Sequence, residues 1–343
     1  MPMQINEGLA TLSDQIVLVT VLLYLVAMIG FALELAFGRA RTAVAPGQAE
    51  RLKQRELVGV GAARGDVGAR EGAEDGGGAS GEGGSRTEPE PVGRTEPKPA
   101  GWAVRAGSVA VVLSWIAWGG NLAAILARGI AVDRWPWGNM YEFVVAMCFA
   151  AVTTFLVLLI RWPIRFLGAF VTVTAALGLG FAVLFLHVQA GPVPPSLNTY
   201  WIAIHVSAAI VASGLFTVAA VCAILYLVRN DGRPSVLPSR ADLERVVHNA
   251  IVIAFPIWTF AVIAGALWAD RAWGRYWGWD PKEVWSFITW VVYAAYLHAR
   301  ATAGWRGKAA IIVSLVAFAC LLFNLIGVNI FLGGLHSYAD VPK

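Results

Sequence analysis

The stretch from Trp268 to Trp290 reads WADRAWGRYWGWDPKEVWSFITW and holds six of the chain's 15 tryptophans. Asp280 is a good N-cap, Pro281 suits the first helical position and Glu283 falls at the third, so D-x-x-E predicts a capping box and a helix starting at Pro281. Just before it, Trp273, Tyr276, Trp277 and Trp279 crowd into seven positions, interleaved with Gly274 and Gly278. Long apolar runs lie on both sides. The reading is two apolar helices joined by an aromatic loop held at a membrane surface.

The whole chain supports a lipid solvent. Of 343 residues, 58% are hydrophobic and 14% are charged, against about 25% charged in soluble domains. Mean hydropathy is +0.64. A span needs roughly 20 apolar residues. Eight stretches qualify: about 16–37, 103–127, 141–160, 166–186, 201–228, 249–269, 281–302 and 309–333. The expectation is an all-α, polytopic integral membrane protein of about eight transmembrane helices. The first span lacks the basic leader and small-residue cleavage site of a signal peptide.

Lys and Arg set the orientation. With the N-terminus outside, 20 of them fall inside and six outside, namely Arg128, Arg134, Arg271, Arg275, Lys282 and Lys343. Both termini are then outside, and the tryptophan loop faces outward. The net charge of +4 reports this bias and does not imply a nucleic-acid partner. Arginines outnumber lysines 21 to 5, which hints at a GC-rich bacterial genome and hence the cell membrane.

Residues 39–101 differ from the rest. They contain 14 glycines, no aromatic residue, and ten charges of each sign. Such a segment cannot bury enough apolar surface to offset chain entropy, so a disordered cytoplasmic linker is expected. Cys148, Cys222 and Cys320 sit singly in apolar runs and read as buried small hydrophobes. With no Cys-x-x-Cys-His, the chain is not itself a c-type haem carrier.

A belt of interfacial aromatics accounts for two or three rings at a span end. Four in seven positions with glycine gaps suit a flat platform for a planar ligand better. Five histidines are available. His205 and His336 fall on the side of the tryptophan loop. His298 lies 17 residues past Pro281, about 25 Å down the helix. His187 ends the fourth span outside, and His248 starts the sixth inside. Two neutral imidazoles can clamp a haem iron from opposite faces, with Arg271, Arg275 and Lys282 as candidates for its propionates. Glu142, at the start of the third span in RWPWGNMYEF, is costly near a membrane face unless paired. It supports the tryptophan loop, binds a partner or caps its helix.

The stretch WGRYWGWDPKE, Trp273 to Glu283, resembles the tryptophan-rich WWD signature of the haem-handling proteins of cytochrome c biogenesis. NTYWIAIHV around His205, FPIWTFAVIAGALWA, WSFITWVVYAAYLHAR with His298, and LHSYA with His336 are similar to segments of the system II, CcsA/ResC-type members, called CcsB in some bacteria. The resemblance runs from about Trp102 to the C-terminus. Eight spans fit this form better than the six-span and much longer system I relatives. Tyr276 stands where the family often has Trp, and the linker is outside the family pattern.

The expected division is an N-terminal transmembrane helix (1–38), the linker (39–101) and a seven-helix domain (102–343) with its outer loop at 268–283, which the resemblance makes haem-handling. The resemblance implies haem b as transported substrate and transient ligand. His205 and His336 are then the outer iron ligands, His298 an inner one, and Trp273, Tyr276, Trp277, Trp279, Asp280, Arg271 and Arg275 surround the haem. The implied setting is a cytochrome c haem-lyase complex with a ResB-type partner, apocytochrome c and a thioredoxin-like thiol reductant. Two other classes fit a polytopic chain: a secondary transporter, which wants broken helices or charges at midplane, and a quinol-linked electron-transfer subunit, which wants histidine pairs within the spans.

Overall fold

A computed structural model describes residues 5–38, 100–162, 164–194, 198–230 and 237–336. Except for Ala100 and Gly101, the expected linker lies outside them. The described residues form eight long helices and no strand. They are α1 (Glu7–Phe37), α2 (Gly101–Ala131), α3 (Met140–Arg161), α4 (Gly168–Phe185, entered through a 3-10 turn at Arg165–Leu167), α5 (Tyr200–Val228), α6 (Arg240–Trp273), α7 (Pro281–Thr302) and α8 (Lys308–Leu322). Beyond α8 the backbone widens into a π-turn, Phe323–Gly327, and resumes as α-helix over Val328–Phe331. Each expected span coincides with a helix.

Seven of these helices are long and apolar enough to cross a membrane; α7 falls short in hydropathy, not in length. Its sequence carries Lys282, Glu283, Ser286, Thr289 and several tyrosines and tryptophans. Those polar atoms are largely turned to neighbours. Trp290 Nε1 donates to Thr259 Oγ1 of α6 at 2.9 Å, and Trp258 Nε1 donates to the Ser286 carbonyl at 3.3 Å. The Tyr293 ring stacks on Phe216 of α5 with centroids 3.8 Å apart.

The α1–α2 pair shows why the helices cross as they do. The buried positions of α1 are Ser13, Val17, Thr20, Tyr24, Ala27 and Phe31. In α2 they include Ala103, Gly107, Ala110, Ser114, Ala117, Asn121, Ala124, Arg128 and Ala131. Both series alternate steps of four and three, the period of a left-handed coiled coil. Small residues along α2 let the backbones approach, as in membrane helix pairs. A Cβ at Gly30 would lie 2.9 Å from the Ala106 carbonyl oxygen.

α1 begins nine residues earlier than the apolar run. Asn6 caps it by accepting from Leu9 N at 3.0 Å, and Asn6 N donates to the Ala131 carbonyl at 2.9 Å. Asp14 is thereby carried into the bundle, where it meets a partly buried charge network. Arg128 donates to Asp14 Oδ1 and to Glu142 Oε1, both at 3.0 Å. Arg134 donates to both Glu142 oxygens at 2.9 and 3.0 Å, and Gly138 N donates to Oε2 at 2.7 Å. Glu142 is thus paired twice and holds the α2–α3 loop, while Asn139 caps its helix by accepting from Glu142 N at 2.9 Å. His187 lies 3.0 Å from Asp14 at the same end.

Candidate functional site

Between α6 and α7 the aromatic loop is short. α6 runs through Trp273 and stops at Gly274, whose φ of +72° is a left-handed C-terminal conformation that favours glycine. Only Gly274 to Asp280 separate the helices, so Arg271 and Trp273 belong to α6. The capping box at Pro281 is present. Glu283 Oε2 accepts from Gly278 N at 2.8 Å and Asp280 N at 3.0 Å. That one oxygen brackets Trp279, whose φ is +57°, a conformation rarely taken by a bulky side chain.

Asp280 does more than cap. Besides Lys282 N, its carboxylate accepts from Leu335 N at 2.7 Å and pairs with His336 Nδ1 at 3.0 Å. Burial alone would raise its pKa. The hydrogen bonds from His336 and Leu335 outweigh burial and hold the carboxyl below its usual range. The end of the α8 segment is thereby pinned to the start of α7.

His205 is positioned differently. It sits in the second turn of α5, and its Nδ1 lies 2.8 Å from the Ala261 carbonyl of α6. A carbonyl only accepts, so Nδ1 carries the proton and Nε2 the lone pair. The ring packs 5.8 Å from that of Trp268. Gly265 makes room for it, since a Cβ there would lie 2.7 Å from His205 Cε1. In His336, Nδ1 is likewise turned to an oxygen, that of the Asp280 carboxylate. Outer partners of this kind fix the tautomer and orientation of metal-binding histidines.

Both imidazoles line one cavity, about 1080 Å3 including its mouth. Its wall includes Trp273, Tyr276 and Trp277 from the loop region, Trp258 and Trp268 from α6, and Trp137 to Met140 from the α2–α3 loop. The wall is mostly apolar. Its cation is Lys282, which donates to the Asn324 carbonyl at 2.7 Å, within the π-turn. π-turns leave carbonyls without helical partners and recur at functional sites.

The cavity thus gathers His205, His336, Trp273, Tyr276, Trp277 and Lys282. Trp279 is 69% exposed and does not line it, nor do Arg271 and Arg275. The rings form no flat platform: Trp277 and Trp279 stand at 88°, and Trp273 meets His336 edge-on at 68°. His298 is exposed on α7, away from this cavity. His248, at the other end of α6, has a buried Nδ1 with no hydrogen-bond partner among the described residues. Among those residues no group of three or more His, Cys, Asp or Glu is placed to hold a metal, and a two-imidazole clamp needs none.

Several wall residues were not singled out from the sequence. Gly265, Trp268 and Trp258 sit within an apolar helix, where nothing in the sequence says which face meets His205. Asn324 and Leu325 depend on a π-turn that no residue pattern announced.

A helical membrane bundle with two anchored imidazoles over an aromatic cavity is the class defined so far. The model of the family described as cytochrome C assembly protein matches residues 137–336, which span the cavity wall from Trp137 to His336. The chain is similar to the cytochrome c biogenesis protein CcsA of Synechocystis sp., 32% identical over 301 residues, covering 69% of this chain and 89% of the relative. It is 31% identical to that of Trieres chinensis, covering 64% and 86%. It is 32% identical to that of Chlamydomonas reinhardtii, where the match takes in 62% of this chain and 64% of the relative's length. The chain belongs to the cytochrome c assembly protein family, is of the CcsA type, and has a role in cytochrome c biogenesis.

Proposed function

We propose that this chain delivers and presents haem b as a subunit of a system II cytochrome c synthase. The observation that carries the reading is the pair His205 and His336. Each ring has its Nδ1 fixed by an oxygen of a neighbouring helix terminus or backbone, and both line one aromatic cavity. Haem enters here as substrate. His205 and His336 hold its iron, and Trp273, Tyr276 and Trp277 enclose the ring. Asp280 acts through His336. Trp279, Arg271 and Arg275 stand at the rim.

The chain's share of the chemistry is positioning. In thioether formation a cysteine thiol adds across a vinyl group, sulfur to one carbon and the proton to the other. The cavity's task is to hold the vinyl edge still beside the incoming apocytochrome c. The lysine and arginine bias supports a cavity on the outer face of the cell membrane, with both termini outside. A ResB-type partner and a thioredoxin-like reductant complete the setting. His298, exposed on α7, serves an inner haem position shared with that partner.

The test is to purify the chain from membranes and record haem content and the optical spectrum. Partial, exchangeable haem with a bis-imidazole spectrum is expected, and it disappears in His205→Ala or His336→Ala while membrane insertion persists. A haem-free wild type that takes up none on titration would rule the reading out. Permanent stoichiometric haem would favour electron transfer instead.

A further inference from the structure

Three indole N–H groups at the tryptophan end have buried nitrogens and no hydrogen-bond acceptor among the described residues: those of Trp137, Trp201 and Trp268. They belong to one apolar cluster, centred on Ile202 and Trp268, against which Trp137, Trp201 and Trp273 pack. Separate elements deliver them. Trp137 comes from the α2–α3 loop, Trp201 from the first turn of α5 and Trp268 from the last turns of α6. Trp201 stands four residues before His205, one turn away on the same face. Trp137 and Trp268 line the cavity that holds His205.

An indole nitrogen donates one hydrogen bond and accepts none. Buried polar groups in native proteins are nearly always partnered. Three clustered donors therefore call for a group made of acceptors. An amide or hydroxyl would bring donors of its own into a place without acceptors. An ionised carboxylate has about four lone-pair sites and no donor, and its hydrogen bonds are charge-assisted. Lys282 is committed elsewhere, to the Asn324 and Leu325 carbonyls; these indoles are not.

Resting on the haem reading of the cavity, we propose that Trp137, Trp201 and Trp268 form a carboxylate subsite for a haem propionate. Two imidazoles fix the iron but leave the ring to turn about their axis. A propionate held at the indoles stops that rotation and so determines which edge, and which vinyl group, meets the thiol. The indoles are positioning and specificity residues for the cargo.

The experiment uses the full chain in detergent, titrated with iron protoporphyrin IX and with its dimethyl ester, in which both carboxylates are masked. Replacing all three residues by Phe keeps a ring and removes the N–H. Wild type should prefer the free acid by roughly tenfold or more, the scale of a charge-assisted hydrogen bond. The triple variant should bind both compounds alike. An undiminished preference in the triple variant overturns the subsite and leaves the haem reading standing, with Lys282 as the carboxylate's partner. Equal binding of acid and ester by wild type also overturns it, including the case where the indoles take a lipid headgroup. Wild type binding neither compound overturns the haem reading, and the subsite with it. Should the triple variant not fold, Trp268→Phe alone decides: a narrowed preference supports the subsite and an unaltered one refutes it.

Discussion

His336 Nδ1 lies 3.0 Å from Asp280 Oδ2, joining a residue past the last helix to the N-cap of α7. Asp280→Asn keeps a good N-cap but removes the charge that orients the imidazole. Haem affinity should fall about 10- to 100-fold, the usual effect of losing such an outer partner, with little change in thermal stability. The sign of the pH effect follows from the lowered pKa. The contact is intact above the ordinary carboxylate range and is lost only as pH falls through the depressed value. A haem titration of Asp280→Asn that matches wild type would remove Asp280 from the site.

The capping box, the eight helices and the meeting of His205 with His336 in one cavity were legible because each rests on local chemistry: a cap, a hydropathy run, a ring beside a signature. The four-three spacing of small residues in α2, from Ala103 to Ala124, encodes the α1 contact but was not read from the sequence. What the sequence withheld depends on ring direction and long separation. Asp14 and Arg128 are 114 residues apart, and nothing local pairs them. The four loop aromatics looked equivalent, yet a left-handed backbone at Trp279 turns one of them away from the cavity.

Gly265 tests the His205 geometry from the opposite wall. Gly265→Ala puts a Cβ 2.7 Å from His205 Cε1, and the ring must move off the Ala261 carbonyl. In an exposed helix Gly→Ala would stabilise; here it should weaken haem binding at least tenfold and disturb the bis-imidazole spectrum. A normal spectrum in Gly265→Ala would show that His205 has room to spare.

Trp279 and Trp277 should separate cleanly. Glycine adopts the positive φ of residue 279 without strain, so Trp279→Gly should leave thermal stability unchanged or raise it by up to about 1 kcal/mol. Its haem affinity should stay within about twofold of wild type, since Trp279 does not line the cavity. Trp277→Gly should lower affinity well beyond that. Equal losses in the two variants would mean that the exposed indole folds over bound haem.

Glu142 holds the Trp137 side of the wall through Arg128, Arg134 and Gly138 N. Its side chain is 1% exposed, so breaking the pairs leaves Arg134 without a counter-charge and Arg128 with Asp14 alone. Glu142→Gln should cost about 3–5 kcal/mol and lower the unfolding temperature in detergent by several degrees. Haem affinity should fall with it, because Trp137 and Gly138 lose their anchor. An unchanged melting temperature would mean that Asp14 alone neutralises the arginines.

His298 stands apart from the cavity. It lies 17 residues beyond Pro281, about 25 Å along α7 from the tryptophan loop, and its side chain is exposed where His205 and His336 are partly buried. An imidazole on the outer side of a membrane helix is costly without a partner. The described residues put no second histidine on that face, since His248 lies in the bundle near Tyr296 of α7's buried side. In the proposed complex the missing ligand would come from the partner protein. Two outcomes follow. In the chain purified alone, His298→Ala should leave haem affinity at the His205–His336 cavity unchanged. In the complex with a ResB-type partner, it should lower total haem, because loading fails before the outer cavity is reached. Wild-type haem content in the His298→Ala complex would refute a two-position route, and the outer cavity would stand as the only haem position in this chain.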